Sequence, residues 1–344
     1  MPNKKNMKIN VLITGVTGMV GSHLADYLID HTDWDIYGML RWRSPLDNLE
    51  HHLDRINKKN RFQLVYGDLR DTLSIRDVVN KSMPDYVFHL AAQSYPKTSF
   101  ESPIDTMDTN IEGTVRLLDA IKDLRPKCIV HVCASSEIFG RVSKDKLPIK
   151  EDCSFHPASP YAISKVGTDL VGRYYAEAFG LCVMTTRMFT HTGPRRGDVF
   201  AESTFAKQIA MIEAGLIDPV VKVGNLDSLR TIADVRDAVR AYFLLVTSNP
   251  TPGEYYNIGG DFSLSVKEIL DFLISISTYE GKIKVEVDEE RLRPIDADLQ
   301  VPDTSKFHKH TGWKPIISFE ETMKDLLNYW RKKVIDEKRN FLTR

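Results

Sequence analysis

The 344-residue chain has almost no net charge, with 46 Lys and Arg against 47 Asp and Glu and a formal charge of −1. No basic excess marks a surface for nucleic acid or anionic membrane. No apolar run reaches the roughly 18 residues needed to span a bilayer. Cysteine is sparse: Cys128, Cys133, Cys153 and Cys182 are the only four, and none forms a CxxC pair. Three lie in or beside apolar strand-like runs, so buried free thiols are expected. The ten histidines show no HExxH or similar spacing, and no metal is expected. Internal repeats and low-complexity tracts are absent. Residues 1–8 are polar and basic without an apolar signal region, which predicts a cytoplasmic protein.

What is present is an ordinary globular composition, 42% hydrophobic and 27% charged, with length for about two domains of roughly 150 residues each. The first half alternates strand and helix patterns. Strands are expected at 8–14, 35–40, 62–66, 86–90, 128–134 and 181–188. Helices are expected at 18–30, from about 71, at 104–123 and at 160–179. Apolar strands separated by helices imply a parallel sheet covered on both faces. Beyond about residue 190 the pattern loosens into a helix at 203–214, a Pro/Gly-punctuated stretch with short strands, and helices near 265–277 and 318–337. A buried strand at 254–260 could return to the main sheet. The fold class is therefore α/β: a doubly wound Rossmann parallel sheet with a smaller C-terminal α+β substrate domain. The first domain covers 1–188, rejoined by about 231–260, and the second covers 189–344.

Gly15, Gly18 and Gly21 form GxxGxxG between the first strand and the first helix. That spacing permits a tight turn, close approach of backbone to a pyrophosphate, and close helix–sheet packing. Helix N–H groups then face the phosphates. The cofactor-binding loop is Gly15, Thr17, Gly18, Met19, Val20 and Gly21. An acidic residue at the end of the second strand would favour NAD. Here stand Arg41, Arg43 and Ser44, suited to a 2′-phosphate, and NADP is expected. Asp68 and Leu69 follow the third strand, where an adenine would lie. Leu90, Ala91 and Ala92 follow the fourth, where small residues let a dinucleotide pass.

Tyr161 and Lys165, at i and i+4, share one helix face. A phenol with a free pKa near 10 becomes a usable base only when a neighbouring cation favours its anion. Lys165 can supply that charge and hold a nicotinamide ribose. The fifth strand ends in Ser135-Ser136-Glu137, at the C-terminal end, where open α/β sheets bind ligands. Together these features resemble the extended short-chain dehydrogenase/reductase superfamily. Ser135, Tyr161 and Lys165 suffice for a dehydrogenase or 4-epimerase of that kind. Glu137 adds a second base, useful when a proton on carbon must be removed.

The segments Thr186–Gly197, Phe205–Ile209, Val223–Arg230 and Arg293–Asp296 are similar to stretches of GDP-mannose 4,6-dehydratases. The resemblance implies an NADP-dependent lyase acting on a GDP-linked manno sugar, with Ser135, Glu137, Tyr161 and Lys165 catalytic. It implies a cofactor contact from His191. It implies substrate contacts from Ser94, Ser135, Ser136, Glu137, Thr190, Val199, Lys207, Arg230, Arg293 and Asp296. Basic residues are expected there because a sugar diphosphate carries about two negative charges. The family usually has Thr at Ser135, Asn at Thr190 and Glu at Asp296. Thr for Asn shortens the reach and loses a donor, so GDP-manno-heptose stands beside GDP-mannose as substrate. GDP-4-keto-6-deoxymannose reductases share much of the pattern and give the alternative activity. A non-catalytic dinucleotide sensor would typically lack the Tyr/Lys pair. The resemblance further implies a homodimer or homotetramer and a role in making deoxy sugars for surface polysaccharide.

Overall fold

The computed structural model describes residues 8–58, 61–292 and 299–341. The first half runs β1 (Asn10–Thr14), α1 (Met19–His31), β2 (Asp35–Leu40), β3 (Phe62–Tyr66), α2 (Thr72–Ser82) and β4 (Tyr86–His89). It continues with α3 (Pro96–Glu101), α4 (Pro103–Met107), α5 (Gly113–Leu124), β5 (Ile129–Cys133), α6 (Pro160–Phe179) and β6 (Cys182–Met188). The second half runs β7 (His191–Thr192), α7 (Ala201–Glu213), β8 (Val220–Val223), β9 (Leu229–Thr231), β10 (Ala233–Asp234), α8 (Val235–Thr247) and β11 (Tyr255–Ile258). It ends with β12 (Ser263–Ser265), α9 (Val266–Ser275), β13 (Lys284–Val287), β14 (Leu299–Gln300), α10 (Ser305–Thr311) and α11 (Phe319–Phe341).

The main sheet has seven strands in the order β11-β6-β5-β4-β1-β2-β3, all paired in parallel. Period-two alternation sends its side chains to two cores. Val11 and Ile13 join Leu24, Leu28, Val239, Tyr242 and Leu245 of α1 and α8. Leu12 faces the other way, with Val78, Leu118, Ile121 and Val130 under α2 and α5. Each such residue, buried fully, contributes about 1.5–3 kcal/mol. A third core joins Phe205, Ile209, Val223, Leu273, Met323 and Leu327 of α7, β8, α9 and α11. Beside it lie a parallel β8–β13 pair and a three-stranded set, β12-β9-β14.

Two features depart from the sequence expectations. The single helix expected over 104–123 is interrupted: α4 passes through a π-turn at Asp108–Glu112 before α5 begins. The π-turn places Asn110 where its carbonyl accepts hydroxyl hydrogens from both Thr114 and Thr168. Second, α8 lies in a stretch expected to hold only short strands. Its start is fixed by Asp234, whose carboxylate caps the amide of Arg236, and its apolar face packs on α1. The four cysteines are free, but only Cys128 is buried and the other three are half-buried. Among the described residues, no helix is long and apolar enough to cross a membrane.

Candidate active site

The phosphate loop follows β1 directly. Gly15 has φ +74°, and a Cβ there would lie 2.9 Å from the backbone of Ala91. A Cβ on Gly21 would meet the Gly15 carbonyl oxygen at 2.3 Å. Both positions therefore require glycine, for the turn and for the approach of α1 to the sheet. Gly18 stands at the N-cap of α1, with no capping side chain and no acidic residue in the first turn. The uncapped amides and the positive helix end suit a pyrophosphate, so the loop fits a dinucleotide. The Thr14 hydroxyl accepts from the amides of Leu90 and Ala91 at 3.0 and 3.1 Å, and so fixes the small-residue turn beside the loop. Arg41 and Arg43 are exposed past the end of β2, with Ser44 half-buried next to them. Asp68 accepts from the amide and Nε of Arg70, at 3.0 and 3.3 Å, while Leu69 is buried.

The C-terminal end of β5, an interior strand of the sheet, carries the chemical groups. Ser159 caps α6 by accepting from the amide of Ala162, and Pro160 occupies the first turn. Tyr161 and Lys165 are consequently one turn apart on the helix, both buried. Lys165 donates to the backbone carbonyl of Cys133 at 2.8 Å, at the C-terminal end of β5. Ser135 follows at once, and its hydroxyl accepts from the Glu137 amide at 3.2 Å. Burial pushes the Tyr161 phenol well up, and its hydrogen bond with Ser135 opposes that rise. The Glu137 charge raises the phenol further, while Arg196 acts the other way. Burial lowers the pKa of Lys165. Ser135, Glu137, Tyr161 and Lys165 are thus brought to one place, with Ser136 buried beside them.

Arg196 has no role assigned from sequence. It is largely buried, donates from Nε to Glu202 at 3.2 Å, and lies 3.4 Å over the Phe200 ring. The only sequence signal was its place in the Thr186–Gly197 stretch. Its direction depends on a chain reversal at Gly193 and Arg195, with φ +145° and +69°. His191 donates from Nδ1 to the Phe189 carbonyl, 3.1 Å away, and burial lowers its pKa to about 4.

The expected substrate contacts are more scattered. Thr190 is half-buried after β6, while Ser94 and Val199 are exposed. Lys207, on α7, donates to Asp198 at 2.7 Å and lies over Trp330 at 5.2 Å. It lines a cavity of about 360 Å³ with Thr17, Asn48, Arg196, Trp330 and Lys333. The phosphate loop and the proposed diphosphate lysine therefore border one space. Arg230 sits in β9, where its Nη1 donates to the Leu229 carbonyl. Arg293 and Asp296 lie outside the described residues.

Residues 12–326 match the profile of a family described as GDP-mannose 4,6 dehydratase. The chain is 31% identical over 346 residues to the GDP-mannose 4,6-dehydratase of Yersinia enterocolitica, with 92% of each protein covered. It is 30% identical over 332 residues to the GDP-6-deoxy-D-mannose reductase of Pseudomonas aeruginosa, covering 96% of this chain and 100% of the relative. The structure of RMD from Pseudomonas aeruginosa, complexed with NADPH, superposes with a TM-score of 0.79 at 28% identity, covering 94% of this chain and 99% of that one. A match that runs from within β1 to within α11, on a seven-stranded parallel sheet, places the chain in the GDP-mannose 4,6-dehydratase family of extended short-chain dehydrogenase/reductases.

Proposed function

We propose that this protein is an NADP-dependent 4,6-dehydratase of a GDP-linked manno sugar, either GDP-mannose or GDP-manno-heptose. The observation that carries the reading is Glu137 next to the Ser135 hydroxyl: its amide donates there at 3.2 Å, and its charge acts on the Tyr161 phenol. Bound NADP would accept the hydride of sugar C4 and return it at C6. Ser135 orients the C4 hydroxyl, and Tyr161 removes its proton, assisted by the positive charges of Lys165 and Arg196. The 4-ketone acidifies the proton on C5. Glu137 takes that proton, the resulting acid protonates the C6 hydroxyl as it leaves as water, and the Tyr161 phenol returns its proton to C5 as hydride is delivered to C6.

Gly15, Thr17, Gly18, Met19, Val20 and Gly21 are assigned to the cofactor pyrophosphate, and Arg41, Arg43 and Ser44 to its 2′-phosphate. Lys207, Arg230, Arg293 and Asp296 are assigned to the GDP-sugar, within residues 189–344. An apolar stripe on α6 supports a homo-oligomer: Ile163, Leu170 and Tyr174 share one face and are about half exposed. The chain is assigned to the cytoplasm, where nucleotide sugars are the substrates to be met.

The second reading is a 4-keto-6-deoxy-sugar reductase, favoured by the comparable similarity to the Pseudomonas aeruginosa reductase. Incubation with GDP-mannose or GDP-manno-heptose and no reductant separates the two. The dehydratase forms a 4-keto sugar with no net change at 340 nm. The reductase leaves both sugars untouched and oxidises NADPH when given a 4-keto sugar.

A further inference from the structure

The first amides of a helix lack intrahelical acceptors, and in α6 each can be traced. Pro160 has no N–H. The Ala162 amide donates to the Ser159 hydroxyl at 3.0 Å, and the Ile163 amide to the Ser159 carbonyl at 3.0 Å. That leaves the Tyr161 amide, which donates to Oγ of Ser99, on α3, at 3.0 Å. Ser99 is fully buried, and its own hydroxyl donates to the Pro96 carbonyl at 2.6 Å. The hydroxyl is thus oriented, with a lone pair turned to Tyr161.

The Tyr161 carbonyl is held by the same segment of chain. It accepts from Ser164 Oγ at 2.7 Å, and Ser164 in turn accepts from Nδ2 of Asn110 at 2.8 Å. Asn110 makes a pair of hydrogen bonds to the backbone of Gln93. Its Nδ2 donates to the Gln93 carbonyl at 3.0 Å, and its Oδ1 accepts from the Gln93 amide at 2.8 Å. Gln93 closes its own turn, accepting from the Tyr95 amide at 2.6 Å and donating to the Tyr95 carbonyl at 3.1 Å. Segment 93–99 is therefore tied at both ends to the peptide groups of Tyr161, at Gln93 through two side chains and at Ser99 directly. Ser94 stands exposed between the two anchors.

We propose that Ser99 is a positioning residue for Tyr161. Its hydroxyl fixes the peptide that carries the phenol to the segment that carries Ser94, so the base and the sugar-side loop keep one separation. Ser159 and Pro160 already start α6, so the helix forms without this bond; Ser99 adds the anchoring of one residue. Such anchoring matters because a misplacement of about 1 Å costs a reaction about 10²-fold in rate. The inference rests on the dehydratase reading for what Tyr161 does, and on geometry alone for what holds it.

The test compares the wild type with Ser99→Ala, each as the full chain loaded with NADP. Amide hydrogen exchange at Tyr161, read by NMR, is expected to be about tenfold faster in the variant, while Ala162, capped by Ser159, keeps its protection. NADP reduction in a single turnover with GDP-mannose or GDP-manno-heptose is expected to slow about 10–100-fold, with KM for the sugar and Kd for NADP changed by roughly twofold or less. Ser99→Cys keeps a weaker acceptor at the same place. It is expected to fall between the two, and it carries the test if Ser99→Ala does not fold. Unchanged Tyr161 exchange in a folded variant overturns the proposal, as does faster exchange with an unchanged rate of NADP reduction. If the wild type converts neither GDP-sugar, the dehydratase reading falls, while the exchange measurement still decides whether Ser99 holds Tyr161.

Discussion

The ammonium of Lys165 is pinned 2.8 Å from the Cys133 carbonyl, so a cation on α6 is fixed at the end of the strand that delivers Ser135. Tyr161 lies one turn earlier on that helix. On the proposed mechanism, Lys165→Met removes a charge assigned to support the phenolate, and Tyr161→Phe removes the assigned base. Each is expected to slow C4 oxidation by about 10²–10⁴-fold, measured as NADP reduction in a single turnover. A rate within threefold of wild type for Tyr161→Phe contradicts the assignment.

Glu137→Gln keeps the shape and removes the base for C5. NADP reduction on adding GDP-sugar is expected to persist. Solvent deuterium incorporation at C5 and formation of the 6-deoxy product are expected to fall about 10²–10⁴-fold. Mass spectrometry in D₂O reads both. Undiminished product would reduce Glu137 to a structural residue.

Arg41 and Arg43 are exposed past β2. Charge-assisted hydrogen bonds contribute about 1.5–3 kcal/mol, so the double Ala variant should bind NADP roughly 10–100-fold more weakly. Its affinity for NAD should hardly change. Isothermal titration with both cofactors checks this, and an equal loss for each would deny the arginines the 2′-phosphate.

The phosphate loop and the Tyr/Lys pair were legible in the sequence because local spacing sets their geometry. GxxGxxG between strand and helix, and i, i+4 on one helix face, hold wherever the elements form. Arg196 was not legible, because its direction comes from contacts to Phe200, Glu202 and Ser203, which the fold of the second half brings against it. The α8 segment carried an apolar face at Val235, Val239, Tyr242 and Val246, but Gly and Pro nearby obscured it. The π-turn at Asn110 answers to Gln93, Ser164 and Thr168, none of them local.

Beneath the site, Arg187 meets Asp169 through two hydrogen bonds, at 2.9 and 3.2 Å, with 1% and 0% of the side chains exposed. Removing one partner strands the other charge. Asp169→Asn is expected to cost about 3–5 kcal/mol, read from urea unfolding. A loss below about 1 kcal/mol would mean that the Glu151 carbonyl and the flanking rings satisfy the guanidinium.

Together with His191, three histidines held neutral by burial contribute to the acid limit of stability. Burial lowers His23 from 6.5 to about 4, and His89 and His131 from 6.5 to about 3. Between those values and 6.5 the unfolded chain binds more protons than the folded one. Stability from these groups is therefore complete above pH 6.5 and declines as pH falls, by up to about 1.4 kcal/mol per unit for each. The urea midpoint should drop between pH 7 and pH 5. A midpoint that rose on acidification would contradict these assignments.

The most direct measurement follows one hydrogen. GDP-mannose and GDP-manno-heptose, each deuterated at C4, are incubated with the NADP-loaded protein and no reductant. The account predicts a 4-keto-6-deoxy product whose C6 carries the deuterium, with no crossover to unlabelled sugar in the same tube. Deuterium released from the protein as reduced cofactor, or NADPH consumption on a 4-keto sugar with neither parent sugar converted, would contradict it.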